Sequence, residues 1–193
     1  QDGWDSEVFS QLATSQLKAM VKLIAKPQLI DPEHIAPLIT GDVQADPLLP
    51  ANLYETYQHA GLTVERASLN DVVRQQGVDA LAQALRTLAQ KFEGAEDVRG
   101  SIKLFNIDQI ENGADTKQYF SFYGKFKDHS IEVNATWTSR WQQAKPGELP
   151  RLSDLRVIEY EQVHLAGPPA TARGPADLFP GAGLSAGRGR SRE

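Results

Sequence analysis

At 193 residues, with 40% hydrophobic and 23% charged residues, the chain suits one globular domain with a sizeable core. A net charge of -5 and a pI near 5.4 argue against a general nucleic-acid binder, because neutralising phosphates needs a basic face that no folded-looking stretch supplies. The absence of cysteine excludes thiol nucleophiles, thiolate metal sites and disulfides together, and no apolar run approaches the roughly 18 residues needed to cross a bilayer, so no membrane insertion is expected.

The chain begins at Gln1 rather than at a methionine, which suggests either a processed mature protein or a trimmed chain, and an exported protein is the expectation. In DSEVFSQLATSQLKAMVKLIAK, Phe9, Ala13, Leu17, Met20 and Ile24 recur at steps of four and three, which predicts an amphipathic helix with Asp5 or Ser6 as N-cap. Pro27 and the Asp31-Pro32 pair end that helix and open a short second one, DPEHIAPLI, which Pro37 limits to a turn or two. Residues 41–61, GDVQADPLLPANLYETYQHAG, place two prolines and two flanking glycines around a Leu-Tyr-Tyr cluster. This predicts a long ordered loop with a helical turn near Tyr54.

LTVERA at 62–67 alternates as a short strand. GVDALAQALRTLAQKF then gives the firmest helix pattern in the chain, with Val78, Leu81, Leu85, Leu88 and Phe92 stepping by three and four and Gly94 as its stop. From Val98 to Val163 the period becomes two, which predicts a four-stranded antiparallel meander. Asn112-Gly113 marks a hairpin between strands near 99–111 and 115–127. Across the next turn, opposing Lys127 to Ser130 sets Phe126 against Ile131, Gly124 against Val133, Phe122 against Ala135 and Phe120 against Trp137, with all apolar partners on one face. A last strand near 152–164 carries Leu155, Val157, Ile158 and Tyr160 after a Pro-Gly loop. Residues 166–193 are rich in Gly, Pro, Ala and Arg and are expected to be a disordered tail, or a linker to a further domain, after a folded domain over 1–165.

Long helix, short helix, irregular segment, short strand, long helix and four antiparallel strands, over about residues 5–164, resemble the nuclear-transport-factor-two-like superfamily, also called SnoaL-like or cystatin-like. That resemblance implies an α+β fold in which a curved antiparallel sheet wraps around the N-terminal and middle helices as a cone. More narrowly, ATWTSRW followed by PRLSDLRVIEYEQV is similar to the last strands of the domain that precedes repeat arrays in secreted bacterial FG-GAP and ASPIC/UnbV proteins. The end departs from that pattern, since a Gly/Arg-rich tail stands where a propeller-forming repeat would follow Val163.

Enzymes of the superfamily work with an acid–base pair in an apolar cavity, which implies Asp42, Asp46, Tyr54, Tyr57, Asn106 and Asp108 as candidates here. None falls in a pattern that matches a catalytic motif residue by residue, so no catalytic residue is assigned. His34, His59, His129 and His164 lack metal-ligand spacing, and neither a metal nor a cofactor is expected. Tyr54, Tyr57, Phe120, Phe122 and Trp137 are the expected lining of the cone, where a small apolar ligand would sit if the interior is open and core packing would take its place if it is filled. The opposite side of the meander, with Tyr119, Tyr123 and Thr136, suits a homodimer or a neighbouring domain. The expected function is a non-catalytic binding or interaction domain of a larger exported protein. The alternative is an isomerase- or cyclase-like enzyme using a cavity carboxylate as acid or base.

Overall fold

The structure, a computed structural model, describes residues 3–143, 145 and 147–167. Its elements are helices α1 (Gly3–Ala25), α2 (Pro32–Ile35) and α3 (Val78–Gln90) and strands β1 (Ile39–Ala45), β2 (Leu53–His59), β3 (Leu62–Ala67), β4 (Gln75–Gln76), β5 (Asp97–Ile110), β6 (Gly113–Lys125), β7 (His129–Gln142) and β8 (Arg151–Ala166). The tail expected to be disordered lies, from 168 onward, outside the described residues.

The periodic apolar residues of α1 are all buried, from Phe9 to Ile24. The helix starts at Gly3, so Asp5 and Ser6 lie inside it rather than at its N-cap. α2 is capped as its sequence implies: Asp31 accepts the His34 N–H at 2.9 Å, and that bond holds the Asp31 carboxyl below the ordinary carboxylate range. α3 buries Leu81, Leu85 and Leu88, and Gly94, with φ +81°, ends the turn that follows it.

One eight-stranded sheet holds the fold together, in the order β2-β3-β8-β7-β6-β5, with β1 paired to β8 in parallel and β4 to β1. The 16-residue β8 is its axis: β7 runs along one edge, while the other edge pairs β1 near Leu152–Leu155 and β3 at Glu161–Leu165. Two extra residues bend it, since Thr136 opposes Glu159 while Trp137 opposes Val157, and Arg140 opposes Asp154 while Trp141 opposes Leu152. Ile158 and Ser153 are therefore bulged, and the buried residues of β8 step from 152 to 155 and from 157 to 160 instead of by two. Such bulges add bend and twist, which curls the sheet around the helices into a cone. α1 lies along β5 and touches α3, which packs on β1. A Cβ on Gly100 would come within 2.5 Å of Val21 Cγ1 and 2.7 Å of the Phe122 ring, so this glycine admits the close approach of α1.

Two further expectations are corrected. The β6–β7 register is displaced by two residues: Lys125, not Lys127, opposes Ser130, and Ile131, Val133, Ala135 and Trp137 face Gly124, Phe122, Phe120 and Gln118. The turn is longer than a tight pair, with the Phe126 N–H donating to the His129 carbonyl at 2.9 Å. A shift of two leaves every side chain on its expected face, whereas a shift of one would have reversed them all. The segment 41–61 is not a loop with a helical turn: it contains most of β1 and the whole of β2. β2 pairs with β3 through the two-residue turn Ala60-Gly61, both at positive φ, as a tight hairpin turn demands.

Candidate functional site

The inner face of the sheet is an aromatic ladder. Phe92 meets Phe122 at 4.6 Å between ring centroids, Phe122 lies 6.0 Å from Phe120, and Phe120 stacks on Trp137 at 4.3 Å. Trp137 and Trp141 have no exposed surface at all, and Leu17 and Met20 of α1 are buried with them. Toward the β5–β6 turn the interior becomes polar. Trp141 Nε1 donates to Thr116 Oγ1 at 2.9 Å, Thr116 Oγ1 donates to Gln118 Oε1 at 3.0 Å, and Gln118 Nε2 donates to Ser139 Oγ at 2.5 Å. The Trp137 indole N–H is buried and meets no acceptor among the described residues.

At the other end, near the β6–β7 turn, the β3–β8 pairing brings together a mixed ionisable group that sequence patterns did not reveal. Glu65 opposes Gln162 and Thr63 opposes His164. The buried Tyr160 hydroxyl donates to Gln162 Oε1 at 3.3 Å, Gln162 Nε2 donates to Glu65 Oε2 at 2.5 Å, and His164 Nε2 lies 3.5 Å from the same carboxylate oxygen. Burial, reinforced by the Glu65 charge, pushes the Tyr160 phenol up. Burial lowers the Lys91 ammonium against the pull of Glu65. Burial and the neighbouring Lys91 and His129 lower His164, with Glu65 opposing them, which favours its neutral imidazole. A neutral imidazole beside a carboxylate is the arrangement of a proton acceptor. No sequence motif joins positions 65, 91, 160, 162 and 164; the only signal was the alternation of β8, which aligns Tyr160, Gln162 and His164 on one side.

The other sequence candidates fall elsewhere. Asp42 is exposed. Asp46 is buried but fully engaged, accepting Arg74 Nε at 2.9 Å and the Val157 N–H at 3.0 Å, and it fastens β1 to the bulged stretch of β8. Asn106 donates to Asp108 at 2.7 Å on the outer side. Of the five residues expected to line the cone, Phe120, Phe122 and Trp137 are stacked in its core, whereas Tyr54 and Tyr57 are half exposed on β2, outside it. The extra residue Thr56 sets these two tyrosines on the same side of their strand.

That side continues into a groove of about 540 Å³ on the outer face of the sheet. Tyr54, Arg66 and Leu69 wall one side and Tyr119 the other, over a polar floor that includes Asn134 and Glu159. Phe105, the bulged residue of β5, stacks on Tyr119 at 4.4 Å and 22°. Thr136 Oγ1 donates to Glu159 Oε2 at 2.6 Å, and Arg66 Nε donates to Glu161 Oε2 at 2.9 Å. Further along the same face, Arg140 forms a two-pronged bond to Asp115 at 2.7 and 2.8 Å, which holds that carboxyl below its ordinary range.

No protein-family model and no curated protein matches this sequence. Among solved structures, the chain is similar to a putative scytalone dehydratase from Novosphingobium aromaticivorans, at 10% identity and a TM-score of 0.55, over 88% of this chain and 98% of that one. It is also similar to the LinA-type3 hexachlorocyclohexane dehydrochlorinase from Novosphingobium barchaimii, at 9% identity and a TM-score of 0.54, over 82% and 90%. At such identities the likeness concerns shape alone. Taken with the bulged sheet curled around α1 and α3, it shows that the chain has the nuclear-transport-factor-two-like α+β cone.

Proposed function

We propose that this chain is a non-catalytic binding or interaction domain of a larger exported protein and that it binds through the outer face of its sheet. The observation that carries this is the contrast between the two faces. Inside, Phe120, Phe122, Trp137 and Trp141 are buried to 1% exposure or less and stack on one another as a packed core does. Outside, Tyr54, Phe105, Tyr119 and Ile158 each expose 43% or more beside the groove, which gathers apolar surface on one face. A ligand, a neighbouring domain or a second copy would gain these contacts without reopening the core. Export, and a place beside FG-GAP or ASPIC/UnbV repeats, rest on the likeness of ATWTSRW and PRLSDLRVIEYEQV, which form much of β7 and β8, to secreted proteins of that kind.

A second reading is a small-molecule enzyme with Glu65 and His164 as its acid–base pair. Their 3.5 Å approach beside Tyr160 favours it, and the two similar structures are those of a putative dehydratase and a dehydrochlorinase. A small-fragment screen followed through backbone amide chemical shifts separates the two. Hits that move the amides of Tyr119–Ser121 and Asn134–Thr136 are expected for the interaction domain. Hits confined to Glu65 and Tyr160–His164 would replace it with the enzyme.

A further inference from the structure

We propose that the outer groove is a binding site for a neutral, hydroxyl-rich ligand of the oligosaccharide class, with Tyr119 as its stacking platform; this rests on the outer-face reading above. The apolar C–H face of a sugar ring packs on an aromatic ring, while its hydroxyls need both donors and acceptors around the rim. The groove supplies both. Tyr119 is 55% exposed, and Phe105 covers one face of its ring at 4.4 Å, so the platform is held in place before any ligand arrives. The bulge at Phe105 makes this support possible, because the extra residue of β5 stands opposite no residue of β6.

The floor argues for a hydroxylated ligand rather than a dry protein surface. Glu159 and Glu161 each use Oε2, toward Thr136 and Arg66, and among the described residues Oε1 of each remains open to accept a hydroxyl. The Asn134 side chain, which can both donate and accept, lines the same groove on β7, opposite Glu161. A protein face pressed dry against this floor would strip water from two carboxylates and a guanidinium and would have to replace every lost bond. Sugar hydroxyls replace water one for one. Arg66 already balances one of the two carboxylates, which leaves a single uncompensated negative charge, so a neutral ligand is not repelled and a cation is only weakly attracted.

The test is calorimetric titration of the chain with cellotetraose, maltotetraose, xylotetraose and chitotetraose, alongside choline and an unrelated dodecapeptide as controls. Binding of at least one tetrasaccharide is expected, unchanged by raised ionic strength and weakened about tenfold or more by Tyr119→Ala. Phe105→Ala is expected to weaken it less, and Glu159→Gln to weaken it measurably. Circular dichroism of each variant establishes that it remains folded, and Tyr119→Phe, which keeps the platform, is expected to retain binding. If fragments occupy the groove but none of the four sugars binds, or sugar binding survives Tyr119→Ala, the sugar proposal is overturned while the outer-face reading stands. Choline binding that fades with salt would replace the sugar by a cation. Fragments that avoid the groove altogether overturn both.

Discussion

Trp137 sits where two demands meet, stacked on Phe120 at 4.3 Å with no exposed surface and with an indole N–H that finds no acceptor among the described residues. Its contribution is therefore packing, and Trp137→Ala is expected to destabilise the fold by about 3–5 kcal/mol, the cost of emptying a large aromatic site. A denaturant midpoint equal to that of the parent would contradict its place in the core. His164 makes a different prediction. Burial and nearby positive charge lower its folded pKa below the ordinary 6.5, so the folded state binds fewer protons than the unfolded one. The sign follows: this stability is whole above 6.5 and is lost as pH falls through that value toward the folded pKa. Urea titrations at about pH 7 and pH 5 are expected to show a smaller loss of stability in His164→Gln than in the parent, and equal losses would contradict the burial of His164 in this cluster. Neither Glu65 nor His164 was legible as a site beforehand, because their proximity depends on β3 pairing with β8 across about a hundred residues of chain, which local patterns do not encode.

Element by element, what the sequence disclosed depended on whether a face was buried. α1, α3 and the strands β5 to β8 each turn one face to the core, and their periods of 3.6 or two were visible for that reason. β2 has no buried residue, being an edge strand, so its alternation was absent and its paired tyrosines three apart looked helical. The broken alternation of β8, with apolar residues at 152, 155, 157 and 160, carried the two bulges in plain view, since an extra residue is what turns a step of two into three. The β5–β6 connection supplies the test at this scale. Ile110 opposes Gly113, so Glu111 and Asn112 form the turn, and Asn112 is left-handed at φ +58°. Asn112→Gly is expected to be tolerated, whereas Asn112→Val is expected to cost about 1–2 kcal/mol, because a β-branched side chain crowds the left-handed backbone. Equal melting temperatures for the two variants would contradict the turn.

For the molecule as a whole, the cone is an architecture that can hold a ligand or a core, and here side chains of α1, α3 and the inner sheet occupy it. Of the aromatic residues that suggested a pocket, Phe120, Phe122 and Trp137 are buried in the cone interior. Whether such residues line a space or fill one is a matter of volume, which periodicity does not report. Tyr119 and Thr136 share a face with the groove, which was not legible in the sequence because it needs the β2–β3 hairpin to rise beside β8 and bring in Tyr54 and Arg66. Closure of the interior is tested most directly by collisional quenching. The chain has three tryptophans, so in Trp4→Phe all indole emission comes from Trp137 and Trp141. Acrylamide is expected to quench that emission with a slope near zero in the folded protein and steeply only after denaturation. A native-state slope close to the denatured one would mean that the cone is open, and would contradict a domain that binds on its outside.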